Sequence, residues 1–200
     1  MFPLSTVLFP GAHLPLQVFE PRYWELIDSA LAGENRFGVV LIERGPEVGG
    51  GDIRTGVGTI AEIVDIGEAG DGRILVMAVG KERIRVVEWC DDDPYPLAVV
   101  ESYPDSQGDE GLAPLVARVL AAWRRLLALA VEMGAAGQNL DLDLPDDPLQ
   151  ASWGLCAAAP VGPFDRQQLL ETAGSRERML RLERMLTDQT EVLEAALREE

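Results

Sequence analysis

Apolar residues at the start of the chain are gathered in short runs that end at turn signals or charged residues. Residues 4–9 and 14–19 are each long enough for a buried strand, and the Pro-Gly pair between them is typical of a turn. Pro21 stands where the first residue of a helix is favoured, because the N–H that proline lacks would have no helical partner there. An apolar helical face follows in Tyr23, Trp24, Leu26, Ile27 and Leu31. The pattern predicts strand, turn, strand and helix, with the helix near residues 21–33.

Further β-branched runs fill the first half of the chain and are separated by glycine-rich or aspartate-rich turns. They cover residues 37–42, 57–66, 74–79, 84–89 and 97–100. Several short strands at this spacing are typical of a small barrel or a sandwich. One G-x-G-x-x-A sequence, at residues 56–61, enters β-branched residues rather than a helix, so we interpret it as strand and not as a dinucleotide site.

The apolar period changes near Tyr103-Pro104, where the strand runs end and residues recur at three and four residue steps. The first helical pattern covers residues 112–131. We therefore predict an α+β protein in two parts. Residues 1–103 form a β-barrel subdomain that includes the first helix, and residues 104–200 form an α-helical bundle.

Local signals place helix starts and an apolar stripe in the second part. Asp147, Pro148 and Gln150 have the residue types of an N-cap, a first helical residue and a capping-box partner, and Asp165 with Gln168 predicts another start. The stripe of the last helix consists of Met179, Leu182, Leu186, Leu193 and Leu197. Four arginines are expected largely off this stripe: Arg176, Arg178, Arg181 and Arg184.

Charge and composition narrow the classes of partner. The 200 residues carry a formal charge of -17 from 34 acidic and 17 basic side chains, and Lys81 is the only lysine. Nucleic acids and anionic membrane surfaces are bound largely through lysine and arginine, so we expect neither as a partner. No apolar run is long enough to span a bilayer, and the first residues lack the pattern of a signal peptide. We therefore expect a cytoplasmic protein.

Residues for catalysis, cofactor binding or metal coordination do not occur at the required spacing. A phosphate-binding loop needs G-x-x-x-x-G-K-[ST], but the Gly-Lys pair here has Leu75 in place of the first glycine and Glu82 in place of the hydroxyl residue. His13 is the only histidine, so Ser-His-Asp catalysis and multi-histidine zinc sites lack a component. The aspartates at residues 141–147 have a proline where a calcium loop needs a ligand. We predict no enzyme activity, no catalytic residue, no cofactor and no metal site.

The opening of the chain closely resembles the start of the Lon protease N-terminal domain family, and the resemblance rests on the run MFPLSTVLFPGAHLPLQVFEPRY. Members are also similar at residues 37–41, 71–73 and 83–86, and at Asp147-Pro148 in the helical half. The resemblance implies a PUA-like β pseudobarrel followed by an α-helical bundle. In full-length Lon proteases this module precedes an ATPase and a protease domain and recognises unfolded or tagged substrates, so it implies substrate recognition without the other two domains here.

The entry to the first helix holds the candidate peptide-binding residues. They are Phe19, Glu20, Arg22, Tyr23 and Trp24. Aromatic and arginine side chains are frequent anchors at interfaces, so on one interpretation this entry lines a groove between barrel and helices in which an apolar peptide lies. On the other, the aromatic residues pack the barrel against its helix and Arg22 pairs with an acidic neighbour. The residues alone leave both interpretations open.

We expect a non-enzymatic binding module that recognises unfolded peptide segments or a partner protein, as an adaptor in proteolysis would. A second hypothesis is a small-ligand-binding or regulatory β-barrel domain, which an enclosed pocket would favour. A third is a structural protein that forms a homodimer through its C-terminal helices, which an exposed apolar stripe would favour.

Overall fold

The computed structural model describes residues 1–47, 51–70, 72–106, 110–135 and 141–199, which form six strands and five helices. The strands are β1 (Phe2–Leu4), β2 (His13–Val18), β3 (Arg36–Arg44), β4 (Ile53–Glu68), β5 (Ile74–Trp89) and β6 (Ala98–Ser102). The helices are α1 (Pro21–Ala32), α2 (Leu112–Glu132), α3 (Pro148–Ala158), α4 (Pro163–Glu171) and α5 (Ser175–Glu199). Within these ranges none of the helices combines the length and the apolar character that a bilayer crossing requires.

The strands form one mixed sheet in the order β1-β3-β4-β5-β2, so β1 and β2 are its two ends. β1 runs parallel to β3, and the other neighbours are antiparallel. β6 pairs with the second half of β5. Buried apolar side chains from β1 to β5 and from α1 form a common core, which includes Phe2, Val18, Tyr23, Ile27 and Phe37.

β5 is one continuous strand, whereas the sequence predicts separate strands at residues 74–79 and 84–89. Its first half pairs with β2 and its second half with β6, while β4 stays paired with both halves. Between the halves, a Cβ atom at Gly80 would lie 2.2 Å from the Phe9 carbonyl oxygen. The Gly80 N–H donates to the Ala12 carbonyl at 2.9 Å. The glycine thus marks a close crossing of another segment, and the chain does not turn there.

The first two strands also differ from their predicted bounds. β1 covers Phe2–Leu4 instead of residues 4–9, and β2 covers His13–Val18 instead of residues 14–19. Residues 7–9 are buried outside a strand, and the Leu8 carbonyl accepts a hydrogen bond from the Thr59 hydroxyl at 2.6 Å. The Thr59 hydroxyl thus satisfies the buried Leu8 carbonyl, which in a strand would accept a hydrogen bond from a neighbouring strand.

The chain divides into two compact units, and the division differs from the predicted one at α4. The first unit is Met1–Pro104 together with Pro163–Glu171, and the second is Asp105–Gly162 with Thr172–Glu200. α4 therefore belongs with the strands and not with the bundle predicted for residues 104–200.

Hydrogen bonds to β4, to β5 and to the residue that follows β6 tie α4 to the first unit. The Gln167 amide donates to the Val57 carbonyl at 3.0 Å, and the Arg83 guanidinium donates to the Leu170 carbonyl at 2.7 Å. The Tyr103 hydroxyl donates to the Glu171 carbonyl at 2.9 Å. The last two bonds satisfy carbonyls at the C-terminal end of α4, which lack partners inside the helix. The helical spacing of residues 163–171 does not reveal these partners.

The second unit is helical, as predicted. α2 confirms the helix predicted at residues 112–131, and the Asp147 carboxylate accepts a hydrogen bond from the Gln150 N–H at 2.8 Å, which confirms the predicted cap of α3. The start predicted at Asp165 is wrong, because α4 begins at Pro163 and places Asp165 inside its first turn.

Arg178 departs most from the pattern predicted for α5. Its side chain is fully buried, whereas the sequence predicts that it lies largely off the buried apolar stripe. Its Nη1 lies 2.7 Å from Asp105 Oδ1, and its guanidinium carbon lies 3.3 Å from the centroid of the Trp153 ring. A buried charge is costly unless it is paired and hydrogen bonded, and the Asp105 carboxylate provides that partner.

Candidate functional site

A groove in the first unit lies where both ends of the sheet meet the start of α1, and we call it the edge groove. Its volume is about 200 Å³. β1 and β2 both line it although they are opposite ends of the strand order, so the sheet curls until its end strands border one groove. The lining residues are Phe2, Pro3, Leu4, Pro15, Leu16, Gln17, Val18, Phe19, Glu20, Tyr23 and Glu47.

β2 contributes Pro15, Leu16, Gln17 and Val18 to the lining of the edge groove. Leu14, Leu16 and Val18 are buried, and Pro15 and Gln17 between them are exposed. This is the period of two expected for a strand with one covered face. The apolar wall of the edge groove is therefore built on a paired strand.

Helix α1 starts at the rim of the edge groove. Glu20 is its N-cap residue with extended backbone, Pro21 follows as the first helical residue, and the Glu20 carbonyl accepts from the Tyr23 and Trp24 N–H groups at 3.0 and 3.2 Å. Phe19 precedes the cap and is 52% exposed. The chain thus presents an uncovered aromatic ring next to the groove.

Tyr23 is only 3% exposed, although one side of it reaches the groove. Its ring is stacked on Phe2, with 4.2 Å between the centroids. Burial disfavours the phenolate and raises the pKa of Tyr23 to about 12. The Tyr23 hydroxyl is therefore uncharged at neutral pH, as it would also be at its ordinary pKa.

Arg22 points to its neighbours and is not among the residues that line the groove. Its Nε lies 3.1 Å from Glu20 Oε2, and its guanidinium carbon lies 4.5 Å from the centroid of the Tyr23 ring. Its Nη2 is buried without a hydrogen-bond partner in the described part of the chain. The ion pair balances the Glu20 charge at the groove rim.

Trp24 is half-buried beside the groove and also does not line it. Its indole N–H donates to the Val18 carbonyl at 3.2 Å, which ties α1 to the end of β2. Of the five residues singled out from the sequence, the structure thus brings Phe19, Glu20 and Tyr23 into the lining and leaves Arg22 and Trp24 beside it.

The family described as "ATP-dependent protease La (LON) substrate-binding domain" matches residues 1–188. This chain belongs to the Lon substrate-binding domain family. The resemblance seen in its opening block is confirmed.

Curated Lon proteases align with nearly the whole chain but with only part of their own length. "Lon protease 2" of Herpetosiphon aurantiacus is 29% identical over 194 residues, which are 96% of this chain and 24% of that protein. "Lon protease" of Anaeromyxobacter dehalogenans is 29% identical over 193 residues, 94% of this chain and 23% of that protein. The chain spans about a quarter of the length of these curated relatives.

Solved structures of Lon N-terminal domains share the fold. The Lon N-terminal domain protein from Xanthomonas campestris has a TM-score of 0.64 at 25% identity and covers 90% of this chain and 94% of its own. The N-terminal domain of Mycobacterium avium complex Lon protease has a TM-score of 0.63 at 22% identity, covering 94% and 96%. The predicted α+β fold is confirmed, and the described residues build it as a curled, mixed β-sheet half-barrel with five helices.

Several lining residues of this Lon substrate-binding domain were not singled out from the sequence. Leu16 belongs to the apolar run that predicts the second strand, whereas Phe2 precedes the first predicted run, and only the curl of the sheet brings the two residues to one groove. Glu47 follows β3 in an irregular segment, where no periodic pattern indicates its position.

The edge groove is lined mainly by apolar side chains. None of its lining residues is a serine, cysteine, histidine or lysine. Across residues 1–47, 51–70, 72–106, 110–135 and 141–199, no three histidine, cysteine or acidic side chains gather as a metal site would. The groove offers an apolar surface with the Glu20 and Glu47 carboxylates among its lining.

Proposed function

We propose that this member of the Lon substrate-binding domain family binds exposed apolar segments of unfolded polypeptides at the edge groove and does no chemistry on them. Phe19 carries the proposal, because this residue is 52% exposed, lines a largely apolar groove and would be covered by a bound apolar segment. The matching family is described as a substrate-binding domain, and this description supports a role in binding polypeptides.

The size of the edge groove favours part of a chain over a free small molecule. Pockets for small molecules usually measure about 300–1,000 Å³. The edge groove, at about 200 Å³, fits a few side chains of a longer segment. The hypothesis of a ligand-binding barrel has less support at this site.

The homodimer hypothesis depends on the apolar stripe of α5. Met179, Leu182 and Leu186 are fully buried within the second unit, so three of the five stripe residues already pack inside one chain. Val192, which is 68% exposed, is an apolar residue that such a contact could cover. A homodimer would thus rest on the last turns of α5 alone.

An adaptor role follows if a protease also binds the chain. We propose a protein partner of this kind in the cytoplasm, and not a nucleic acid or a membrane, because the net charge of -17 opposes binding to phosphates. Capture of an ATP-dependent protease from lysate, together with a peptide bound at the edge groove, would support it.

Fluorescence anisotropy with a labelled apolar peptide tests the binding function. We expect a dissociation constant on the order of micromolar or higher, because a flexible segment loses entropy when it is ordered. Phe19→Ala should weaken binding by about tenfold. Phe164→Ala is the matched control, since Phe164 is 57% exposed in the first unit and outside the groove lining. Absence of saturable binding, or equal losses in both variants, would contradict the proposal.

A further inference from the structure

We infer that the edge groove selects apolar segments with lysine or arginine next to the apolar residues and disfavours segments with aspartate or glutamate there. The inference rests on the proposed function and adds the class of substrate to it. It is carried by the uneven pairing of the carboxylates that line the groove.

Glu47 keeps an unbalanced charge in the groove lining. It is exposed, and its Oε1 accepts hydrogen bonds from the Ser5 N–H and the Ser5 hydroxyl. Both donors are neutral, and no cation within the described ranges forms an ion pair with Glu47. The Ser5 bonds hold the carboxylate in place without neutralising it, so a cationic side chain on the bound segment would be its first partner.

Glu20 contributes less, because its charge is already balanced. The Arg22 Nε lies 3.1 Å from Glu20 Oε2, and both side chains are largely covered. A cation on the segment would have to compete with Arg22 for this carboxylate. Selection by charge therefore falls mainly to Glu47.

The backbone of the two bordering strands offers little selectivity of its own. Pro3 of β1 and Pro15 of β2 both line the groove and have no N–H to donate to an added strand. Regular strand addition along either border would miss a hydrogen bond at each proline. Discrimination between segments therefore rests on side chains, first on apolar area and then on charge.

Three acetylated and amidated peptides that differ in their flanking charge test the inference on the full chain. They are SKLFLKS, SQLFLQS and SELFLES, and their affinities are measured with amide chemical shifts as the reporter of location. At low salt we expect SKLFLKS to bind roughly tenfold more tightly than SELFLES, with SQLFLQS between them. The ratio should shrink at high ionic strength, because screening weakens exposed pairs.

Glu47→Gln isolates the residue that we assign to selectivity, since it keeps an acceptor for Ser5 and removes the charge. The ratio between SKLFLKS and SELFLES should fall to about threefold or less. Glu88→Gln is the matched control for net charge, because Glu88 is exposed on β5 and does not line the groove. It should leave the ratio near its original value.

The outcomes separate this inference from the proposed function. If all three peptides bind at the edge groove with equal affinity, or if Glu47→Gln and Glu88→Gln lower the ratio equally, charge selection by Glu47 is wrong and binding of apolar segments stands. If no peptide shifts the amides of the groove, the proposed function and the inference both fail.

Discussion

The Phe2 and Tyr23 rings are stacked, with 4.2 Å between their centroids and 10° between their planes. The contact joins β1 to α1, and the Phe37 ring of β3 lies 6.1 Å from Phe2. Both stacked rings line the edge groove. The groove floor is therefore part of the core of the first unit and is fixed by the same packing that stabilises it.

Tyr23→Ala should lower the free energy of unfolding by about 3–5 kcal/mol, because it removes a buried ring and leaves a cavity under Phe2. Tyr23→Phe keeps the ring and is the matched control, for which we expect a loss well below that of alanine. Urea unfolding of both variants measures the difference. Equal stability of Tyr23→Ala and the parent would show that the stack is not part of the core.

Stability at high pH should depend on Tyr23. Burial raises the pKa of Tyr23 from 10.0 to about 12, so the folded chain keeps the phenol protonated where the unfolded chain releases the proton. This contribution to stability is complete below pH 10 and is lost as the pH rises through about 12. The free energy of unfolding should fall less over this window in Tyr23→Phe. A tyrosinate absorbance titration should show a late component among the three tyrosines, and its absence would contradict the assignment.

The buried pair of Arg178 and Asp105 should matter to the second unit. Arg178→Met leaves the Asp105 carboxylate without its guanidinium partner, and we expect a loss of about 3–5 kcal/mol in the free energy of unfolding. Adding Asp105→Asn should recover part of this loss, because the orphaned charge is removed. Strictly additive effects in the double-mutant cycle would show that the two side chains are not coupled.

The sequence predicts elements well where one local pattern decides them. Pro21 at the start of α1 and Asp147 at the start of α3 are such cases, because the residues that fix each helix end are close neighbours in sequence. The helix α2 is another, since its apolar spacing is regular throughout.

Contacts between distant residues account for what the sequence does not predict. Gly80 stays inside β5 and lies against the Phe9 carbonyl, and the buried Arg178 pairs with Asp105, so each has a partner that is far away in the sequence. The side of the edge groove that β1 and β2 form also depends on distant contacts, because Phe2 and Leu16 border one groove only when the sheet curls. Phe19, Glu20 and Tyr23 are neighbours in the sequence, so a local pattern identifies them together. The same pattern gives no information on the residues of β1 that line the groove with them.

The chain should be inert as an enzyme. Its 200 residues contain no phosphate-binding loop, and Lys81 is exposed and paired with Glu62 at 3.0 Å. We expect purified protein to hydrolyse neither ATP nor unfolded casein, because the sequence has no phosphate-binding loop and its single lysine is held in an ion pair. Turnover that persists through further purification and disappears in Lys81→Ala would overturn this expectation.

Titration of the labelled chain with SKLFLKS, followed by amide chemical shifts, tests the central claim most directly. We expect saturable shifts at β1, at β2 and at residues 19–23, which are lost in Phe19→Ala and kept in Phe164→Ala. Shifts confined to the second unit, or no saturation up to about millimolar peptide, would contradict binding of apolar segments at the edge groove.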